Sequence, residues 1–224
     1  MNIIKHLEFF NPMDIKAPIH IIGVGAIGST LAEMLARLGV ASIHIWDMDR
    51  VAEHNIANQM FTFNDIGEFK VNAVAQMCKA INPEMVVHCH EGGYQVDSAP
   101  MLSGYIFLCV DNIELRAAIV KKHMYSPTVK AFFDFRMRLT DAQHYASDSN
   151  MDNKKRLLAT MSFSEDEAKA GTPVSACGTS LSVVPTVRMV VSVGVANFIN
   201  LCNKKSLAHM ILVDPFHGIL DSFS

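Results

Sequence analysis

Short apolar runs alternate with amphipathic stretches through the first half of the chain. The run Ile19 to Ile22 reads as a buried parallel strand. After it, Ile27, Leu31, Met34, Leu35 and Leu38 fall on one helical stripe, Glu33 and Arg37 face outward, and Gly39 supplies a stop signal. Ser42 to Trp46 predicts a second strand, Val71 to Ala80 a helix, and Ile106 to Val110 a strand. Val86 to His90 alternates, as a strand with two different faces does. Lys130 to Arg138 and Met210 to Asp214 read as later strands. Strand and helix taking turns in this way predict an α/β domain.

Two stretches need more care. Leu181 to Cys202 is apolar enough to resemble a membrane span, but Pro185, Arg188 and Asn197 interrupt it, and Ser182, Thr186 and Ser192 are polar. A buried helix or a dimer interface is the better reading, so no membrane partner is expected. Ala142 to Gly171 is polar, with Asp152-Asn153-Lys154-Lys155-Arg156 and Glu165-Asp166-Glu167, and reads as a mobile loop with a short helix.

The 224 residues suffice for one domain, 1–224, with a substantial core, and a 50% hydrophobic content argues against disorder. A net charge of −3 without a basic run argues against nucleic acid as a partner. The five cysteines are Cys78, Cys89, Cys109, Cys177 and Cys202, an odd number; with no signal peptide, they point to free thiols in a reducing cytoplasm. His88-Cys89-His90 looks like a metal motif, but alternation sends neighbours to opposite faces.

The chemistry begins at Gly23-Val24-Gly25-Ala26-Ile27-Gly28, between the first strand and its helix. Gly23 permits the tight turn, Gly25 lets a phosphate approach the backbone, and Gly28 lets helix and strand pack closely. Free N–H groups at the helix start, around Ala26 and Ile27, favour an anion. Asp47 follows the second strand, about twenty residues on, where a carboxylate can accept from ribose hydroxyls. Asp49 can serve the same site or only orient the turn. These features allow NAD and ATP alike.

The residues that follow are more specific. Asp47-x-Asp49, Val51, Asn55-Ile56, Gln59, Gly67, Lys70, Asn82-Pro83 and Asp111-Asn112-x-x-x-Arg116 occur in one order and spacing that resembles the ThiF/MoeB/E1-like family. The likeness covers Ile19 to Arg116 closely and Ala176 to Ile199 more loosely. It implies a Rossmann-like doubly wound sheet, mostly parallel in the N-terminal half, with antiparallel strands added in the C-terminal half. It also implies adenylation by ATP of the C-terminal carboxylate of a small ubiquitin-like or sulfur-carrier protein or peptide. Lys70 would place a point charge on the phosphates, and Asp111 would hold Mg²⁺. Asn55 and Gln59 would contact the nucleotide, and Asn112 and Arg116 would line or brace the pocket. Residues 141–176 would form a crossover loop over the bound tail of the partner, and the protein would be a homodimer. Many members hold a structural zinc with two Cys-x-x-Cys pairs; none is present here, so no structural zinc is expected.

One residue departs from the family pattern. The family carries arginine directly before the glutamine of Asn-x-x-Arg-Gln, on the ATP phosphates; here that position is Asn58. An amide supplies neither the charge nor the fork of donors. Compensation by Arg116, Arg50 or a partner subunit is one expectation; a nucleotide-binding scaffold without turnover is another. A nicotinamide- or flavin-dependent oxidoreductase is a third reading, supported only by the glycine loop and Asp47. Cys177, in Ser175-Ala176-Cys177-Gly178-Thr179, resembles the segment that carries the thioester cysteine of compact E1 enzymes. It would either attack the acyl-adenylate or serve as a small buried residue.

Overall fold

The computed structural model describes residues 1–164, 166–167 and 181–224. Strand β1 (Ile19–Ile22) is buried at all four positions because it lies between two parallel neighbours, β2 (Ser42–Trp46) and β4 (Gly104–Leu108). β3 (Val86–His90) extends the parallel array beyond β2, and β5 (Val129–Met137) extends it beyond β4. The direction then reverses. β6 (Ala142–Ser147), β7 (Met210–Asp214) and β8 (Ile219–Phe223) add in succession as antiparallel strands. The eight described strands form one sheet in the order β3-β2-β1-β4-β5-β6-β7-β8. This is the Rossmann-like α/β arrangement, parallel first and antiparallel after.

Helices cover both faces, as buried parallel strands require. On one face lie α1 (Ala26–Arg37), α2 (Lys70–Ile81) and the long α5 (Val184–Cys202). Their apolar side chains meet Ile19, Ile21, Ile43, Ile45, Phe107, Phe133 and Phe135. On the other face, α3 (Ile113–His123) and α4 (Met151–Ala159) close over Ile22, Ile106, Leu108 and Phe132. β1 and β4 are thus covered on both sides, which is why they read as apolar runs rather than as a clean alternation.

Helix α5 is long and apolar enough to cross a membrane. In the fold it lies across the sheet, with Val187, Val190, Val191, Val195 and Phe198 buried. Gly194 lets it approach β5: a Cβ there would stand 2.2 Å from the Phe135 ring. Asn197, read above as an interruption, is buried and satisfied, donating to the Ala208 carbonyl at 2.9 Å and accepting from the Ala208 N–H at 2.9 Å.

Two regions differ from the sequence reading. The stretch expected to be loop from Ala142 onward begins instead with β6, paired in register with β5 from Phe132↔Ser147 to Met137↔Ala142. Its polar residues are half or wholly buried on an inner strand: His144 is fully buried and bonded to the Asp134 carbonyl at 3.1 Å. Polarity read as solvent exposure therefore misled. Helix α4 follows, with Asn150 accepting from the Asp152 N–H at 2.8 Å as its N-cap. β8 was also unforeseen. It pairs with β7 alone, and every one of its residues is exposed, so its sequence carries no burial pattern to read.

Candidate functional site at the carboxyl ends of the parallel strands

The loop from β1 into α1 depends on glycine at two points. Gly23 has φ +89°, and a Cβ there would lie 2.9 Å from the Cys109 carbonyl carbon, in the strand end next door. A Cβ on Gly28 would lie 2.0 Å from the Gly23 carbonyl oxygen, so α1 could not dock on its own loop. Around Gly25, by contrast, there is room: the nearest atom to a Cβ there would be Gln59 Oε1, at 3.9 Å. Gly25 is also the N-cap of α1 and provides no side-chain acceptor, so the first-turn N–H groups of Ala26, Ile27 and Gly28 have no capping side chain. An open approach, unspent donors and the positive end of the helix dipole together make an anion site.

Asp47 is pinned beneath this loop. Its carboxylate accepts from the Val24 N–H at 2.8 Å and from the Asp49 N–H at 2.9 Å. Burial pushes its carboxyl pKa up, and the two N–H donors and the Lys70 charge oppose that shift. Each oxygen keeps a lone pair, so a ribose hydroxyl can still be accepted. Lys70, the first residue of α2, is buried, and its Nζ donates to the exposed Asp49 carboxylate at 2.8 Å. A second tie, from the Lys70 N–H to the Asp49 carbonyl at 2.9 Å, fixes the start of α2 to the loop after β2. Lys70 is therefore no surface lysine, and Asp49 does more than shape a turn.

Asn55 is buried and accepts from the Ala52 N–H at 2.9 Å, which holds the 52–59 segment in shape. Gln59 turns Oε1 into the protein beside Gly25, where it is buried without a hydrogen-bond partner among the described residues. A buried orphan acceptor beside an anion site is what a missing ligand donor would satisfy. Asn58, the departure from the family pattern, donates its amide to Ser182 Oγ, just before α5.

Past the end of β4, Asp111 is exposed and takes no hydrogen bond or ion pair among the described residues. An exposed, unpaired carboxylate at a strand's carboxyl end suits Mg²⁺, which takes one or two carboxylates and fills its shell with water and phosphate oxygens. Asn112 is the N-cap of α3 and accepts from the Leu115 N–H at 2.7 Å. Arg116, expected to line or brace the pocket, takes the bracing position. It points into the protein, paired with the fully buried Asp134, and donates to the carbonyls of Phe135, Leu108 and Val110. Asp134 also holds Arg136, at 2.6 Å. Arg116 thus braces the end of β4 against β5, and its guanidinium is spent.

Arg50 is spent as well, on the Gly67 carbonyl at 2.7 Å and over the Phe69 ring at 3.8 Å. Cys177 lies outside the described residues. Of the other cysteines, Cys78 is buried and its thiol is pushed up to about 12, and burial raises Cys109 further. These thiols stay protonated and unreactive.

Sequence reasoning missed Asp134, although a lone acid in Ala131-Phe132-Phe133-Asp134-Phe135 signals a buried pair. It also missed a histidine row. His20, His44 and His88 stand in register across β1, β2 and β3, with ring centroids 4.7 and 4.3 Å apart, and His90 stacks on Trp46 at 3.6 Å. His88 and His90 share a face, while Cys89 turns to the other and donates to the Val71 carbonyl at 3.5 Å.

Comparison with known proteins identifies the family and the fold. The model of the ThiF family matches residues 15–215. A ubiquitin-like modifier-activating enzyme 5 from Drosophila mojavensis is 34% identical over 137 residues, which are 53% of this chain and 33% of that protein. The enzyme of the same name from Drosophila willistoni is 29% identical over 136 residues, 53% of this chain and 32% of its own. The match thus spans about a third of these relatives' length. Among solved structures, E. coli MccB with ATP superposes with a TM-score of 0.69 at 17% identity, over 94% of this chain and 64% of that one. MccB with AMPCPP and MccA gives 0.72 at 17% identity, over 94% and 65%. PaaA gives 0.67 at 15% identity, over 94% and 65%. These structural likenesses speak to the fold.

Proposed function

The chain belongs to the ThiF family, and from that premise we propose that it adenylates the C-terminal carboxylate of a small ubiquitin-like protein, sulfur-carrier protein or peptide. One observation carries the reading. The carboxyl ends of β1, β2 and β4 bring together an uncapped helix start, a ribose-height acid, a buried lysine and a free acid. The proteins it resembles are consistent with this. Their names describe activation of ubiquitin-like modifiers, and MccB has been crystallised with ATP and with MccA.

In this reading the triphosphate lies over the first turn of α1, and Asp47 takes the ribose. Lys70 exchanges or shares Asp49 for phosphate oxygens and neutralises charge that grows on the leaving pyrophosphate. The substrate carboxylate attacks the α-phosphorus, pyrophosphate departs, and an acyl-adenylate results. Asp111 would hold Mg²⁺, which would supply further charge neutralisation on the phosphates. No side chain need form a covalent bond, so rate comes from positioning and electrostatics. We place the protein in the cytoplasm as a homodimer, with Cys177 as the residue that accepts the acyl group if a thioester follows.

The test is ATP–pyrophosphate exchange with Mg²⁺ and a panel of small proteins and peptides ending in Gly-Gly. Exchange that Asp111→Ala abolishes, in a protein that remains folded, supports the reading. Stabilisation by ATP without exchange across the panel favours a scaffold, and stabilisation by NADH but not ATP favours an oxidoreductase.

A further inference from the structure

The cations around the glycine loop fall into two groups. Lys70 is paired with Asp49, Arg116 with Asp134, and Arg50 is engaged by Gly67 and Phe69. Arg188, on the second turn of α5, is different. It enters no ion pair among the described residues. Its Nη1 donates to Thr30 Oγ1 at 2.9 Å, and its Nη2 lies 2.7 Å from the Met60 sulfur. A thioether is a weak acceptor for a guanidinium. Arg188 is half-buried between α1 and the 58–60 loop, so its charge is partly desolvated and poorly compensated.

Its position matters as much as its partners. Thr30 Oγ1, which it touches, donates in turn to the Ala26 carbonyl at 2.8 Å, so two hydrogen bonds in series run from Arg188 to the first residue of α1. Met60 is tied to the same helix through its N–H, which donates to Ser29 Oγ at 3.1 Å. Asn58 and the orphaned Gln59 Oε1 belong to that loop. The one unneutralised guanidinium among the described residues that touches α1 therefore meets that helix at Thr30, one turn past its first residue, and touches Met60, two residues on from Asn58.

We propose that Arg188 supplies the positive charge on the nucleotide phosphates that Asn58 cannot. It is a substrate-binding cation carried by α5 rather than by the 55–59 segment. An incoming phosphate replaces a thioether with a charge-assisted acceptor, so the gain comes on binding and grows with phosphate charge. The inference rests on the reading that ATP binds at this loop, and it adds which residue holds the phosphates.

The experiment measures affinity for ATP and for adenosine, by calorimetry with the full chain and Mg²⁺. The proteins are wild type, R188Q, R188K, N58R and the double variant N58R/R188Q. R188Q should weaken ATP about 10- to 100-fold, in line with loss of a charged hydrogen-bonding group, and leave adenosine unchanged. R188K should lose less, and N58R/R188Q should recover most of the ATP affinity. The ratio of ATP to adenosine affinity is insensitive to a fold defect, which would weaken both; R188K gives a second reading if R188Q folds poorly, since keeping the charge should hold that ratio closer to the wild-type value than any neutral substitution does. An equal loss for ATP and adenosine, or wild-type ATP affinity in R188Q, would overturn the assignment while leaving the proposed function standing. A wild-type protein that binds no ATP would overturn both.

Discussion

The parallel half of the sheet and the antiparallel half solve different problems. In the parallel array the ends of β1, β2 and β4 each bring part of the candidate site to one edge: the Gly23 loop after β1, Asp47 after β2 and Asp111 after β4. One face of these strands is apolar, and the other mixes apolar side chains with the histidine row. From β5, the last strand of the parallel array, to β8, the strands themselves contribute none of these site residues; Arg188 comes from α5, between β6 and β7. Instead they bury polar groups that lock the sheet, chiefly Asp134 with two arginines and His144 with Asn197. Chemistry collects at the ends of parallel strands because all of them end on the same side. Antiparallel strands end on alternate sides and serve better as a frame.

That contrast can be broken most forcefully at the frame. Asp134→Ala leaves Arg116 and Arg136 without their shared carboxylate in a buried site. Urea unfolding should show a loss of about 3–5 kcal/mol. A loss under about 1 kcal/mol would mean that the triad is not a structural lock, and Arg116 would return as a candidate for the phosphate site. At the chemical edge, Lys70→Met should leave stability within about 1 kcal/mol but cut exchange by about 10²–10³-fold, the range for losing one transition-state donor. Intact exchange in that variant would remove Lys70 from the phosphate role.

The histidine row sharpens the comparison through pH. Burial, followed by the neighbouring imidazoles of His44, His90 and His123, lowers His20 to about 3, from the ordinary 6.5. A histidine held neutral in the fold binds a proton more readily when unfolded. Stability is therefore full above about pH 6.5 and falls as pH drops towards 3. Between pH 7 and pH 5, His20 alone should cost about 1–2 kcal/mol. His20→Phe should flatten that slope in denaturant titrations at the two pH values; an unchanged slope would assign the acid sensitivity elsewhere, with His123 and His144, each lowered to about 4, as the next groups to test. Least is expected at the outer edge. Leu220→Glu on β8, where the side chain is 56% exposed, should change stability by no more than about 0.5 kcal/mol.

The same contrast explains what could be read in the sequence. β1, β2, β5 and β7 were legible because their apolar runs are buried between neighbours, and the glycine loop because φ +89° at Gly23 and the close approach at Gly28 leave little choice of residue. β6 was not legible. His144 and Ser147 are polar side chains whose burial depends on β5 and α5, partners distant in sequence. Within the site, the family resemblance implied Lys70 as a candidate but not its burial against Asp49. The resemblance also implied that Arg116 lines or braces the pocket; Asp134, eighteen residues away, turns it inward. Arg188 looked like an interruption in an apolar helix; only the packing of α5 on α1 brings it to Thr30 and to Met60, the residue after Gln59.

The most direct test of the account is to look for the adenylate itself. Incubation with Mg²⁺, ATP labelled at the α-phosphate and a partner that supports exchange should place AMP on that partner's C-terminal carboxylate, as mass spectrometry of the intact partner would show. Asp111→Ala should not form it. Labelled adenylate of equal yield in the variant would contradict the role given to the β4 edge; AMP attached to a side chain or hydroxyl rather than the carboxylate would contradict the reaction.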